Sequence, residues 1–157
     1  MDEITVRDVP EQTVLTEKRR IAVDELPGWI LEASARQDQA LSTVGGPIAP
    51  YFVVYYGEVT ATKDGPVELC SPISPENAGL VALPSRVEPA HREAFTRITK
   101  KEVRFPQILR AYEAVESWAL ANNEQFAGNP REVYFTDFDA AGPDDDVVDI
   151  ALPIAVS

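Results

Sequence analysis

NPREVYFTD, residues 129–137, and PYFVVYY, residues 50–56, decide the fold, because the two stretches align when the chain is slid against itself by 79 residues. Val54 then meets Val133 and Tyr55 meets Tyr134, and the same shift brings Pro10 to Pro89, Leu26 to Phe105 and Pro27 to Pro106. Further on the offset becomes 81, where Pro72-Ile73 meets Pro153-Ile154 and Glu68 meets Asp149; the two extra residues fall where a hairpin loop belongs. A few shared prolines could coincide by chance, but agreement in spacing across strand, helix and hairpin favours an internal duplication, with repeats at about 4–75 and 79–156.

Each half predicts the same order of elements. Residues 12–21, with Val14, Leu15 and Ile21, read as a strand. A helix follows over about 25–44 on the stripe Leu26, Ile30, Ala33, Gln37, Ala40, Leu41 and Val44, with Asp24 as N-cap, Pro27 in the first turn and Gly45-Gly46 as the stop. The second half has a strand near 91–99 and a helix over about 105–121, on Ile108, Ala111, Tyr112, Val115, Trp118 and Ala119. Asn122-Asn123 ends it, while no residue beside Phe105 makes a good cap. Hairpins come next: 52–56 with 67–71, and 132–135 with 147–152, turning at Lys63-Asp64-Gly65 and Gly142-Pro143-Asp144. Short strands at 4–6 and 79–83 complete the two sheets, and Ser74-Pro75-Glu76-Asn77 is a short linker within one domain spanning 1–157. The fold class is α+β: duplicated β-α-β-β modules related by a pseudo-twofold axis, antiparallel sheets with a helix per module, and a central cleft.

Along a strand alternate side chains share a face, so Glu132 and Tyr134 lie together where Val53 and Tyr55 lie in the first half. Phe52 to Tyr56 is apolar on both faces, as in a strand covered on both sides, so Glu132 replaces a residue whose twin is buried. A carboxylate taken from water needs a cation, a hydrogen-bond network or a raised pKa. The alternative is a solvated strand edge with Glu132 paired to Arg131 or to the Lys18-Arg19-Arg20 cluster; the residues alone leave both open.

Composition narrows the function. The 157 residues carry 26 acidic and 14 basic side chains, a formal charge of -12, which opposes direct binding to nucleic acid or to an anionic membrane. Cys70 is the single cysteine, so no internal disulfide can form, and the N-terminus lacks the pattern of a signal peptide; the cytoplasm is the expected location. No metal, cofactor or Ser-His-Asp chemistry is expected: paired cysteines, a phosphate loop and a Gly-x-Ser-x-Gly elbow are missing, His91 is the one histidine, and Asp144-Asp145-Asp146 reads as a solvated turn.

The run Pro130-Arg131-Glu132-Val133-Tyr134-Phe135-Thr136-Asp137, followed by an acidic loop and Val148-Asp149-Ile150-Ala151-Leu152-Pro153-Ile154, resembles the C-terminal signature of GyrI-like proteins, which include the effector-binding domains of bacterial multidrug-responsive transcription activators. Pro47 to Tyr55 and Gly65 to Cys70 resemble the matching N-terminal portion, so the resemblance spans nearly the whole chain. It implies a cleft between two repeats that takes bulky, often cationic, lipophilic compounds, with Glu132 as its acidic floor and Tyr134 beside it. Where relatives carry a glycine before the second helix, this chain has Thr99-Lys100-Lys101-Glu102-Val103.

Tyr55 and Tyr134 are the first candidates for the aromatic walls, with Val53 beside them, then Trp29, Tyr112 and Trp118; the last three sit at helical spacing, where aromatics more often fill a core. Glu68 and Asp149 read as salt-bridged or solvated strand residues rather than a second acidic pair. Three functions follow. The first is binding of a small molecule, for sensing beside a DNA-binding partner or for sequestration. The second, implied by members resembling hydrolases of cyclopropane-bearing alkylating compounds, has Glu132 as general base and Tyr134 or Tyr55 orienting the substrate. The third is an interaction protein acting on a partner such as DNA gyrase.

Overall fold

The computed structural model describes residues 3–60 and 62–156. It is an α+β protein whose chain divides into two compact units. One holds the described residues of Met1–Pro10 and Ala90–Ser157; the other is Glu11–Pro89.

In the Glu11–Pro89 unit, strand β2 (Gln12–Ile21) leads to helix α1 (Leu26–Leu41), then to the hairpin of β3 (Phe52–Tyr55) and β4 (Gly65–Ile73), a 3-10 turn at Pro75–Leu80 and strand β5 (Ser85–Glu88). These strands form an antiparallel sheet in the order β5-β2-β4-β3. The other unit holds β1 (Thr5–Val9), β6 (His91–Thr99), helix α2 (Leu109–Ala121), β7 (Arg131–Tyr134) and β8 (Asp146–Ile154), in the antiparallel order β1-β6-β8-β7.

The pairing registers carry the same offsets as the sequence. Thr13 faces Ile73 across β2 and β4, and Arg92 faces Ile154 across β6 and β8. Val53 faces Leu69 as Glu132 faces Ile150. The edge strands correspond too, with Val14 opposite Arg86 and Glu93 opposite Arg7, but here the chain crosses over. β1 precedes β2 yet pairs with β6, and β5 precedes β6 yet pairs with β2. The compact units therefore cut the chain elsewhere than the sequence repeats do. The strand expected at 79–83 is instead the end of the 3-10 turn and a bend, and the real edge strand lies at Ser85–Glu88, just before β6.

Helix α1 buries Leu26, Trp29, Ala33, Gln37 and Leu41, one stripe at three- and four-residue steps. It starts after Glu25 without a side-chain cap, so Asp24 does not cap it, and it stops at Leu41, ahead of Gly45 (φ +93°) and Gly46 (φ +82°). Val44, beyond the helix, packs with Val81 and Leu83 on a core of Leu15, Leu41 and Ile73. Gln37 is satisfied inside that stripe: its amide donates to the Leu69 carbonyl at 3.2 Å and its oxygen accepts from the Ser71 hydroxyl. Helix α2 begins four residues later than periodicity suggests: residues 104–108 form a bend and turns, and Phe105, standing before a proline, is biased away from the helical region. Asn123 ends α2 in the left-handed conformation (φ +57°).

Candidate functional site

Antiparallel partners share a face, so Glu132 lies with Ile150 and Thr96, and Tyr134 with Val148 and Ile98. Ala94 and Leu152, on that face, form a core with Val115 of α2, which identifies it as the helix-covered side. Glu132 is 5% exposed and Tyr134 8%. The Tyr134 hydroxyl donates to Glu132 Oε1 at 2.7 Å, and the Tyr112 hydroxyl, brought down by α2, donates to Oε2. Each carboxylate oxygen thus accepts a phenol. Burial first, and then the negative charge of Glu132, hold the Tyr112 phenol well above its ordinary pKa, so it remains a donor.

This geometry resolves the question that the residues left open. Glu132 belongs to a buried hydrogen-bonded cluster and not to a solvated edge. Arg131 points to the opposite face and donates to the Asn129 carbonyl at 3.4 Å, Arg20 lies 3.8 Å from Asp64, and Lys18 lies over the Tyr56 ring.

Of the other expected site residues, Tyr112 joins Glu132 and Tyr134 directly, whereas Trp118 packs against the core of Ala94, Val115, Leu152 and Ile154. Trp29, Val53 and Tyr55 belong to the other unit. Trp29 is 2% exposed and its ring N–H donates to Glu17 Oε2 at 3.1 Å, on a carboxylate also gripped by Arg36. Val53 is fully buried and Tyr55 half-buried, at the strand positions that correspond to Glu132 and Tyr134.

Sequence reasoning missed Phe138, whose ring meets Tyr134 edge-on with centroids 6.3 Å apart. It also missed how deeply the paired acids on the opposite sheet faces are buried. Glu68, fully buried, accepts from Arg86 Nε at 2.8 Å and Nη2 at 2.7 Å and from the Tyr56 hydroxyl at 2.5 Å. Asp149, 1% exposed, accepts from Arg97 Nε at 2.8 Å and Arg7 Nη1 at 2.9 Å. Arg7 also donates to Glu93, whose other oxygen lies 2.7 Å from His91 Nε2. In both units an edge-strand arginine pins a buried acid on the strand two away, and Arg7 and Arg86 are themselves 79 residues apart. Glu68 and Asp149 are each held by an arginine, and on Glu132 both oxygens accept from phenols.

Two hollows of about 490 Å³ and about 420 Å³ mark the surface of this unit. The larger runs along the start of α2, past Pro106, Leu109, Arg110 and Ala111, and the smaller past Val9, Pro10 and His91; Glu132 lines neither. Among the described residues no cluster of His, Cys, Asp and Glu is arranged to hold a metal ion, and no helix is long and apolar enough to cross a membrane.

No family model matches the chain, and no curated protein does. Solved structures match over its full length. The C-terminal domain of EcmrR superposes with a TM-score of 0.72 at 17% identity, covering 100% of this chain and 99% of that one. A hydrolase from Listeria innocua matches with 0.63 at 12%, covering 98% and 92%, and SAV2435 bound to tetraphenylphosphonium with 0.61 at 10%, covering 98% and 94%. At such identities the likeness establishes the fold alone.

Proposed function

We propose that this chain is a GyrI-like module, arisen by internal duplication, that binds bulky lipophilic cations at Glu132, with Tyr112 and Tyr134 as the aromatic groups around the charge. The observation that carries this reading is a carboxylate, almost removed from water, whose two oxygens each accept a hydrogen bond from a phenol. Phenol donors spread the negative charge without cancelling it, and their ring faces attract cations by about 0.5–2 kcal/mol each. The structure of SAV2435 bound to tetraphenylphosphonium, on the same fold, supports the ligand class. The corresponding registers of the two units support the duplication. The free, buried thiol of Cys70 fits a reducing cytoplasm, where such a module would sense a drug for a DNA-reading partner or sequester it.

Hydrolysis is the second reading, supported by the Listeria neighbour and by a carboxylate with two adjacent hydroxyls that could orient or protonate a substrate. One panel separates the two. Lipophilic cations and cyclopropane-bearing electrophiles are added to the protein, and thermal shift and mass spectrometry are recorded together. Stabilisation by tetraphenylphosphonium with every compound recovered intact is the expected result. Ring-opened product that disappears in Glu132→Gln would favour the hydrolase, and a panel with neither response would overturn both.

A further inference from the structure

Phe138 sits in the acidic loop that follows β7, and its surroundings tie that loop to the candidate site. Its ring meets the Tyr134 ring at an interplanar angle of 71°, edge against face. Over the Phe138 ring lies Lys100 Nζ, 4.8 Å from the centroid, and the same ammonium donates to the Ala141 carbonyl at 3.1 Å. Lys100 opens a 3-10 turn, Lys100–Glu102, that follows an irregularity in the β6 register between Ile98 and Thr99. A capping box closes this turn, with Glu102 Oε1 accepting from the Thr99 backbone N–H at 3.0 Å and from its hydroxyl at 2.7 Å. The turn then grips the loop through its backbone, Lys100 N–H donating to the Asp145 carbonyl and Lys101 N–H to the Pro143 carbonyl, each at 3.0 Å. These are the residues that stand where the family resemblance places a glycine.

We propose that Phe138 is a positioning residue of the Glu132 site, holding the Tyr134 hydroxyl on the carboxylate, with the Lys100–Glu102 turn as the clasp that holds Phe138 in place. The consequence for ligand affinity rests on the binding reading above. The phenol oxygen lies on the axis of the ring's own rotation, so the hydroxyl is displaced by tilting about the Cα–Cβ bond; an edge-on neighbour opposes that tilt and fixes the ring plane through the attraction of ring hydrogens to the facing π-cloud. Tyr134 sits on a strand that fixes its backbone, and Phe138 adds an edge-on contact at its ring. Lys100 acts one step further out, binding the far side of the loop through a cation-to-ring contact and a carbonyl.

The test compares wild type, Phe138→Ala, Phe138→Tyr and Lys100→Met by aromatic NMR of the ligand-free protein and by calorimetric titration with tetraphenylphosphonium. Phe138→Ala is expected to speed the Tyr134 ring flip and to weaken binding, each about three- to tenfold, the size of one aromatic pair contact. Phe138→Tyr restores both, and Lys100→Met shifts both in the same direction by less. A folded Phe138→Ala protein with an unchanged Tyr134 ring overturns the proposal, as does one with a freed ring but full affinity. If wild type ignores tetraphenylphosphonium while Phe138→Ala still frees the ring, the binding reading falls and the positioning role stands.

Discussion

Arg86→Met removes the cation that holds a carboxylate with no exposure to solvent, and the structure sets the size of the loss. Glu68 accepts two charge-assisted bonds from Arg86, at 2.8 and 2.7 Å, and keeps a third from Tyr56. Burial by itself would raise the pKa of this carboxyl, but the bonds from Arg86, Tyr56 and Thr16 outweigh it and lower the value from 4.5 to about 2. A depression of that size is about 3 kcal/mol of stability. Breaking a buried pair from one side costs about 3–5 kcal/mol by general experience, so the two routes agree near the lower figure. Because the folded pKa lies below the unfolded one, this stability is complete above about pH 4.5 and is lost as pH falls through about 2. Urea unfolding followed by circular dichroism should therefore show Arg86→Met less stable by about 3 kcal/mol at pH 7, with the gap narrowing at pH 3. Adding Glu68→Met should recover part of it, since the charge at position 68 is then gone while Glu88, which also accepts from Arg86 at 2.5 Å, is still present. A loss below about 1 kcal/mol, or one that does not change with pH, would refute the pairing argument.

Tyr112 and Tyr56 both have phenols raised by burial and by a neighbouring carboxylate, so their ionised forms destabilise the fold only above about pH 10; absorbance titration should show both still protonated in native protein after ordinary tyrosines have ionised. Gly65→Ala would place a Cβ 2.3 Å from the Glu58 carbonyl oxygen, and the backbone there must shift, for a loss of about 1–3 kcal/mol in chemical denaturation. Trp118→Ala should lower stability by about 2–3 kcal/mol through the core of Ala94, Val115, Leu152 and Ile154, while tetraphenylphosphonium affinity changes by less than about twofold. A larger fall in affinity would return Trp118 to the site.

The apolar residues Val14, Leu15 and Ile21 made β2 readable and the repeat carried the reading to β6, both to their end residues, and the 79- and 81-residue offsets reappear as matched registers. Edge strands were harder, because partners come from across the chain. Nothing local to Ser85–Glu88 says that it pairs with β2 ahead of it while β6 behind it takes β1. The burial of Glu68 and Asp149 was hidden for the same reason, since Arg86 lies 18 residues from Glu68 and Arg7 lies 142 from Asp149. At the site, alternation placed Glu132 beside Tyr134, but a helical stripe cannot distinguish Tyr112, which reaches the carboxylate, from Trp118, which fills a core. Phe138 gave no signal at all, because a turn has no period from which to read a facing side chain.

The working role of the Glu132 charge is measured most directly by titrating tetraphenylphosphonium into wild type and Glu132→Gln by calorimetry at pH 7. Gln keeps the shape, accepts one phenol through its oxygen and can donate to the other phenol oxygen through its amide, so the comparison removes the charge with little change of shape. Saturable binding that weakens at least about tenfold in Glu132→Gln, with the fold intact, is the predicted result. Equal affinity in the two proteins would mean that the buried carboxylate only braces the packing of Tyr112 and Tyr134.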